Sequence, residues 1–131
     1  MRDKTDADTT VQELKDAIIA FRDERGWQRA HSPRNLATSI AVEAAELLEH
    51  FQWGDLQERD RQDIADELAD IVHYCLDFAA VMNIDVSTAC RHKLAEIQAK
   101  YPTKIFNPAN TDDEDAYRAA RRAHKAKRAG V

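Results

Sequence analysis

The sequence predicts an all-α protein, built as a four-helix bundle-like domain with a C-terminal tail. Only 3 glycines and 3 prolines occur in 131 residues, so few turns are available. Residues with high helix propensity dominate, and apolar residues recur at helical spacing along most of the chain. A length of 131 residues fits one domain. We expect a flexible N-terminus over 1–9, a helical domain over 10–105, and a partly helical, basic extension over 106–131.

The first two predicted helices have clear start signals. Thr10-Val11-Gln12-Glu13 matches a capping box, and Gly26 marks the end of the first helix. Ser32-Pro33 places an N-cap residue before a proline at the first position of the second helix. Gly54-Asp55 ends that helix. Its predicted apolar face consists of Ile40, Ala44, Leu47, Leu48 and Phe51.

A third helix is predicted from near Glu58 through Met82. Its second half is almost wholly apolar, which is typical of a buried helix. Asn83-Ile84-Asp85 interrupts it, and Asp85 is a suitable N-cap for a fourth helix over 86–100. The segment 113–128 begins acidic and ends basic, as the helix dipole favours. We expect it to be a tail that is either solvated or docked on a partner.

Composition and charge exclude several classes of protein. Cys75 and Cys90 lie in apolar helical patterns without a C-x-x-C motif, which predicts buried, reduced thiols in a cytoplasmic protein. The sequence contains no leader-like segment and no apolar run long enough to span a bilayer, so we expect no membrane association. Residues 1–116 carry 13 basic and 24 acidic residues, a net charge of −11. We therefore expect no nucleic-acid partner.

Two acidic pairs, Glu43-x-x-Glu46 and Glu67-x-x-Asp70, are the most informative feature of the chain. A spacing of three places both carboxylates of a pair on one helix edge, about 5–6 Å apart. Antiparallel packing of the two helices would bring all four carboxylates together, a charge that a divalent cation neutralises. Oxygen ligands without cysteine favour Mg²⁺ first and Mn²⁺ next. Because protein-bound Mg²⁺ usually completes its shell with water and phosphate oxygens, the substrate should carry phosphates.

Two other interpretations of these acids are open. Acidic residues three apart usually line a solvated face, and Glu43 and Glu46 alone fit a helical binding module whose acidic face meets a basic partner. Glu67 is harder to explain in this way, because it falls in an apolar stripe where an unpaired carboxylate is costly. A di-iron carboxylate protein requires two Glu-x-x-His motifs, and only Asp70-Ile71-Val72-His73 approaches that pattern.

A longer ordered set of residues surrounds the two pairs. It consists of Phe21–Trp27 (FRDERGW), His31, Pro33–Leu36 (PRNL), Glu43–Trp53 (EAAELLEHFQW), Asp66–Tyr74 (DELADIVHY), Lys93 and Lys100–Pro102. In these residues the chain resembles the MazG-like all-α nucleoside triphosphate pyrophosphohydrolases, specifically the dCTP pyrophosphatase branch. The resemblance implies hydrolysis between the α and β phosphates of dCTP or of modified pyrimidine deoxynucleotides, with release of pyrophosphate. It also implies a homodimer or homotetramer.

The resemblance also implies roles for individual residues. Those matched to the Mg²⁺ ligands and the catalytic centre are Glu43, Glu46, Glu67 and Asp70. Those matched to substrate binding are Trp27, His31 and Trp53 as the base pocket, Tyr74 near the metal, and Lys93, Lys100 and Tyr101 at the phosphates. From the chemistry, either Glu46 or Glu49 is suited to accept the proton of the attacking water. We expect structural roles for His50 and His73.

The chain departs from the resembled pattern at two positions. Ile97 stands where family members commonly have Asn, and Ile18 stands where cytosine-selective members have His. The first departure removes a polar contact expected near the phosphates or the metal. The second bears on the preference for dCTP.

Overall fold

The structure is a computed structural model, and it describes residues 3–54, 60–110 and 113–130. Every regular element in these ranges is helical, which confirms the predicted all-α class. The elements are α1 (Val11–Glu24), a 3₁₀ turn (Trp27–Arg29), α2 (Pro33–Glu49), α3 (Arg61–Val81), α4 (Val86–Lys100) and α5 (Glu114–Arg128). The predicted start of the third helix near Glu58, and Asp55 at the end of the second, lie outside the described residues. No helix in the described ranges combines the length and apolar character that a membrane span requires.

Both predicted helix starts are confirmed in atomic detail. The Thr10 hydroxyl accepts a hydrogen bond from the Glu13 backbone N–H at 3.1 Å, and the Glu13 carboxylate accepts one from the Thr10 backbone N–H at 2.8 Å. The Ser32 hydroxyl accepts one from the Asn35 backbone N–H at 3.2 Å, with Pro33 in the first turn. These bonds satisfy N–H groups that have no partner within their own helix.

The chain forms two compact units, and the first covers Met1–Val86. In this unit α3 packs against both α1 and α2. His31, just before α2, contacts Asp77 near the end of α3, whereas His50, just after α2, contacts Glu67 near its beginning. The two helices are therefore antiparallel, as the convergence of the acidic pairs requires.

Few apolar residues are buried in the described part of the first unit. They are Leu36, Leu76 and Ala79, and a charged residue, Asp77, is buried among them. Leu36 is only 1% exposed, which makes it the most enclosed large side chain of the described residues. A small core of this kind leaves much apolar surface on the outside of the single chain.

The predicted burial of α3 on most sides is wrong for the single chain. Leu68 of α3 is 53% exposed, and Leu48, predicted on the apolar face of α2, is 69% exposed. Phe51 and Val72 are exposed as well. The physical reason is that α1 and α2 cover only part of the surface of α3 and leave the rest of its apolar circumference open.

The predicted burial of the two thiols is also wrong. Cys75 and Cys90 are free cysteines, but both are exposed. Each is on a helix side that its neighbours leave uncovered. The remaining partial burial raises the pKa of the Cys75 thiol, which lowers its reactivity at neutral pH.

The second unit covers Ser87–Val131 and contains most of α4 and all of α5. The rings of Tyr101 and Tyr117 stack at 5.4 Å with an angle of 6° between their planes, and Phe106 meets Tyr101 edge-on at 5.1 Å. The Asp113 carboxylate caps α5 by accepting a hydrogen bond from the Ala116 backbone N–H at 2.8 Å. Tyr117 therefore anchors the basic helix within its own unit.

Leu36→Ala should test the core of the first unit. We expect it to lower the free energy of unfolding by about 2–5 kcal/mol, because truncation of an enclosed leucine leaves a cavity. Urea denaturation followed by circular dichroism measures the change. Thr38→Ala on the same helix is the matched control, and because Thr38 is exposed it should change stability by less than about 0.5 kcal/mol. Equal effects of the two substitutions would contradict the assigned core.

Candidate active site

Three of the four predicted metal ligands converge between α2 and α3. Carboxylate oxygens of Glu43, Glu46 and Glu67 all lie within 4.8 Å of one another. Glu43 and Glu67 are half-buried and Glu46 is exposed, so the cluster opens to solvent on one side. Asp70, one turn after Glu67, is not part of this group, but its charge acts on Glu43. The antiparallel register of the two helices produces this convergence.

The carboxylates of the cluster repel one another. The pKa of Glu43 is raised, and desolvation is the largest cause. The next causes are the charge of Glu46 and a hydrogen bond with it, and then the charges of Asp70 and Glu67. Like charges at this separation disfavour full ionisation unless a cation is present. Carboxylate oxygens without sulfur ligands suit Mg²⁺ or Mn²⁺. The donor set therefore fits the divalent cation that the sequence predicted.

His50 lies against this cluster. Its Nε2 is 3.4 Å from Oε1 of Glu67, at the point where α2 ends. Sequence patterns do not predict this contact of His50 with a predicted metal ligand, because it depends on the packing of α2 on α3. The ring limits the orientation of the Glu67 carboxylate, a role that residues surrounding metal ligands commonly have.

A cavity of about 440 Å³ opens beside Asp70 in the first unit. It is lined by Ala17, Ile18, Phe21, Arg22, Trp27, His31, Asp70, His73, Tyr74 and Asp77. Asp70, Tyr74 and Asp77 lie on one face of α3, so the wall they form extends about 10 Å along the helix from the carboxylates. The cavity therefore runs along α3 from Asp70, whose charge acts on Glu43, to Asp77.

Aromatic rings form another wall of this cavity. Phe21 meets Trp27 edge-on at 5.7 Å, and the His31 ring lies 6.0 Å from Trp27. Gly26 makes this arrangement possible, since its φ of 65° turns the chain sharply between α1 and the 3₁₀ segment that carries Trp27. The result is an aromatic wall in which the Trp27 ring offers a face on which a planar base can stack.

The structure places the other predicted base-pocket residue differently. Trp53 lies in the turn after α2, is 90% exposed, and does not line the cavity. His73, for which a structural role was expected, lines the cavity together with Tyr74. Ile18 also contributes to the wall and makes that side apolar.

An ion-paired network closes the far end of the cavity. Asp77 Oδ1 accepts a hydrogen bond from Arg22 Nη1 at 3.1 Å, and Asp77 Oδ2 lies 2.5 Å from His31 Nδ1. Burial works against the charge of Arg22, but a hydrogen bond to Asp23 and the charges of Asp23 and Asp77 raise its pKa. One sequence feature points to this network: Asp77 is a charged residue in the apolar second half of α3. Its partners come from other elements and cannot be read from that pattern.

The predicted phosphate-binding residues lie in the second unit. Lys93 Nζ donates to the Glu96 carboxylate at 2.8 Å, and Lys100 Nζ lies 5.0 Å from the centre of the Tyr101 ring. Ile97 is exposed on the same helix. Lys100 also borders a basic cluster on α5, formed by Arg121, Arg122, His124, Lys125 and Arg128.

Comparison with known proteins identifies the family. The MazG-like family model matches residues 38–110, more than half of the chain, and this range includes both acidic pairs. The chain belongs to the MazG-like family. Within it, dCTP pyrophosphatase 1 of Bos taurus is 30% identical over 107 residues, which cover 76% of this chain and 63% of that protein. The Homo sapiens protein of the same name is 30% identical over 104 residues, covering 73% and 61%.

A solved structure supports this membership at the level of the fold. A pyrophosphatase from Archaeoglobus fulgidus matches with a TM-score of 0.67 and 36% identity, covering 78% of this chain and 98% of that one. The chain spans less than two thirds of the length of the curated mammalian relatives. The match to the archaeal pyrophosphatase, in contrast, extends over nearly the whole of that chain.

The raised pKa of Glu43 predicts how Mg²⁺ should change stability with pH. Glu43 takes up its proton at a higher pH in the folded than in the unfolded protein, so protonation of Glu43 stabilises the folded protein at low pH. This stabilisation is lost as the pH rises through the pKa of Glu43 in the folded protein. Mg²⁺ should then raise the melting temperature more at pH 8 than at pH 5. At a concentration of 100 times Kd the added stability is about 2.7 kcal/mol.

Differential scanning calorimetry with Glu43→Gln checks this prediction. Without metal at pH 8 the variant should melt higher than the wild type, because one repelling charge has been removed, and its response to Mg²⁺ should be much smaller. Glu24→Gln, on the exposed end of α1, is the matched control and should respond as the wild type does. An identical Mg²⁺ response in the wild type and Glu43→Gln would contradict the assigned site.

Proposed function

We propose that this chain is a Mg²⁺-dependent nucleotide pyrophosphohydrolase. It cleaves a nucleoside triphosphate between the α and β phosphates and releases the monophosphate and pyrophosphate. The observation that carries the proposal is the carboxylate cluster of Glu43, Glu46 and Glu67, together with the aromatic-walled cavity lined by Asp70, whose charge acts on Glu43. The family membership and the mammalian relatives named dCTP pyrophosphatase 1 agree with it.

The acidic cluster supplies the catalytic end of this proposed site. Glu43, Glu46, Glu67 and Asp70 are the residues that would hold the cation. Bound Mg²⁺ would neutralise phosphate oxygens and lower the pKa of a bound water. Glu46 and Glu49 are the two candidates for accepting the proton of that water; Glu46 lies within the cluster and Glu49 is exposed one turn farther along α2.

The cavity supplies the base-binding end. Trp27 offers a face for stacking, while Tyr74 and His73 lie between the carboxylates and the far end. We propose dCTP or a modified pyrimidine deoxynucleotide as the substrate. Trp53, Lys93, Lys100 and Tyr101 are further proposed substrate contacts, which rest on the family resemblance.

We also propose a homo-oligomer, either a dimer or a tetramer. Large apolar side chains are exposed on α2, α3 and the turn after α2: Val42, Leu48, Phe51, Trp53, Leu68 and Val72. An apolar surface of this extent is typical of protein–protein interfaces. Most soluble oligomers pair identical surfaces, so a second copy is the partner that these helices fit best. The free thiols Cys75 and Cys90 suit a reducing, cytoplasmic location.

Product analysis tests the proposed reaction directly. With dCTP and Mg²⁺, ion-exchange chromatography should show dCMP and pyrophosphate in equal amounts. Glu67→Gln and Asp70→Asn should each lower kcat/KM by at least about 100-fold, because the cation loses a ligand.

Asp63→Asn provides the control for this experiment. Asp63 is exposed in the first turn of the same helix, so its loss should change kcat/KM by less than about twofold. Melting curves of all variants establish that they fold. Release of dCDP and phosphate, or no cleavage in a panel of deoxynucleotides, would refute the proposal, and the second result would favour a helical binding module instead.

Light scattering tests the proposed assembly. The molar mass in solution should be two or four times the chain mass of 14.9 kDa. Leu68→Glu should shift it toward a single chain, since burial of a carboxylate in an apolar interface is unfavourable. Asp63→Glu, which keeps an exposed acid on α3, should leave the mass unchanged. A wild-type mass of one chain would contradict the assembly.

A further inference from the structure

Asp77 is the buried charged residue of the described chain, with 2% of its surface exposed. Its carboxylate binds two partners from different elements: Arg22 of α1, at 3.1 Å, and His31 before α2, at 2.5 Å. All three residues line the cavity. The network is therefore part of the cavity wall and not only of the core.

Stability alone is a weak reason for such a network. Replacing a buried ion pair with apolar side chains of similar volume is often neutral or stabilising, because desolvation offsets the attraction. The Asp77 carboxylate belongs to α3 at the polar end of the cavity, while Ile18 makes another part of the wall apolar. Of the three side chains, that of His31 is the most exposed, at 21%, so His31 is the member of the network that a ligand in the cavity can contact.

The hydrogen bonds determine which group is available to a ligand. The ion pair with Arg22 makes the Asp77 carboxylate an acceptor, so Nδ1 of His31 must donate the hydrogen of their contact. Arg22 is also engaged by Asp23, at 2.8 Å. Among the described residues, no side chain forms a hydrogen bond with Nε2 of His31. In the neutral ring that nitrogen is therefore a hydrogen-bond acceptor.

The position of the network relative to the carboxylates identifies the part of the substrate it would meet. Asp70 and Asp77 are seven residues apart on one face of α3, about 10 Å along its axis. If phosphates lie at the acidic cluster, the base extends toward Asp77 past Trp27. The acceptor at this end then faces the edge of the base.

We propose that Asp77, neutralised by Arg22, is a positioning residue that holds His31 so that Nε2 accepts a hydrogen bond from an N–H group on the edge of the nucleobase. His31 is the specificity-determining residue, and Asp77 acts through it. The inference rests on the proposed function, because it requires a nucleotide in the cavity. A base without an N–H group at that edge leaves the acceptor unpaired and binds less well.

Steady-state kinetics on dCTP, dTTP, dATP and dGTP with Mg²⁺ provide the test. The readout is the ratio of kcat/KM for the best and the worst substrate. His31→Gln and Asp77→Asn should each reduce this ratio by about tenfold or more, mainly through a higher KM for the best substrate. A purely structural role for Asp77 would lower activity on all four substrates alike and leave the ratio unchanged, which would overturn the proposal.

A double variant separates the two residues. If Asp77 acts through His31, then Asp77→Asn should change the ratio by less than about twofold when His31 is already Gln. Independent, multiplicative effects would contradict this coupling. Since Asp77→Asn leaves Arg22 without its buried partner and can impair folding, Arg22→Gln with Asp77→Asn removes both charges together, and the same loss of ratio is expected.

Nitrogen-15 NMR of the labelled imidazoles provides a readout that does not depend on activity. In the wild type the Nδ1 of His31 should carry the hydrogen and Nε2 should not, and Asp77→Asn should change this pattern. A hydrogen on Nε2 of the neutral wild-type ring would overturn the proposal. If the wild type cleaves no nucleotide, the proposed function fails. If the wild type cleaves some nucleotides better than others, and the variants have the same ratio of kcat/KM between best and worst substrate as the wild type, only this inference fails.

Discussion

Packing of α2 against α3 brings Glu43, Glu46 and Glu67 within 4.8 Å of one another, with the charge of Asp70 nearby. The same antiparallel contact encloses Leu36 and Leu76, so the core and the repulsion between carboxylates form together. Burial and the repulsion from neighbouring carboxylates raise the pKa of Glu43. A divalent cation bound as proposed would relieve this repulsion, because the carboxylates would become its ligands. On that proposal, the stability of the helix pair and the function of the site both depend on cation binding.

The face of α3 extends the acidic cluster into a site with two chemically different ends. Asp70 belongs to the acidic end, and Asp77, two turns later, is neutralised by Arg22 and accepts a hydrogen bond from His31. Two acids on one helix face thus have separate environments. The aromatic residues around Trp27 line the same cavity and offer a surface on which a flat group can stack. This division of one cavity fits a substrate that is anionic at one end and aromatic at the other.

Sequence patterns were sufficient for the elements whose cause is local. The capping box at Thr10, the Ser32-Pro33 start and the acidic spacing on each helix depend on neighbours three or four residues away. Contacts between elements were not accessible in this way. His50 beside Glu67 and His31 beside Asp77 join residues 17 and 46 positions apart. Exposure of Leu48 and Leu68 also differed from the prediction, because helical periodicity identifies an apolar face but not what covers it.

Mn²⁺ binding measured by electron paramagnetic resonance tests most directly whether the α2–α3 carboxylates form a divalent-cation site. The signal of free Mn²⁺ should decrease saturably as wild-type protein is added, and Mg²⁺ should restore it by competition. A protein carrying Glu43→Gln and Glu67→Gln together should leave the signal nearly unchanged. A wild-type protein that leaves Mn²⁺ free at millimolar concentrations, or a double variant that binds as well as the wild type, would contradict the account.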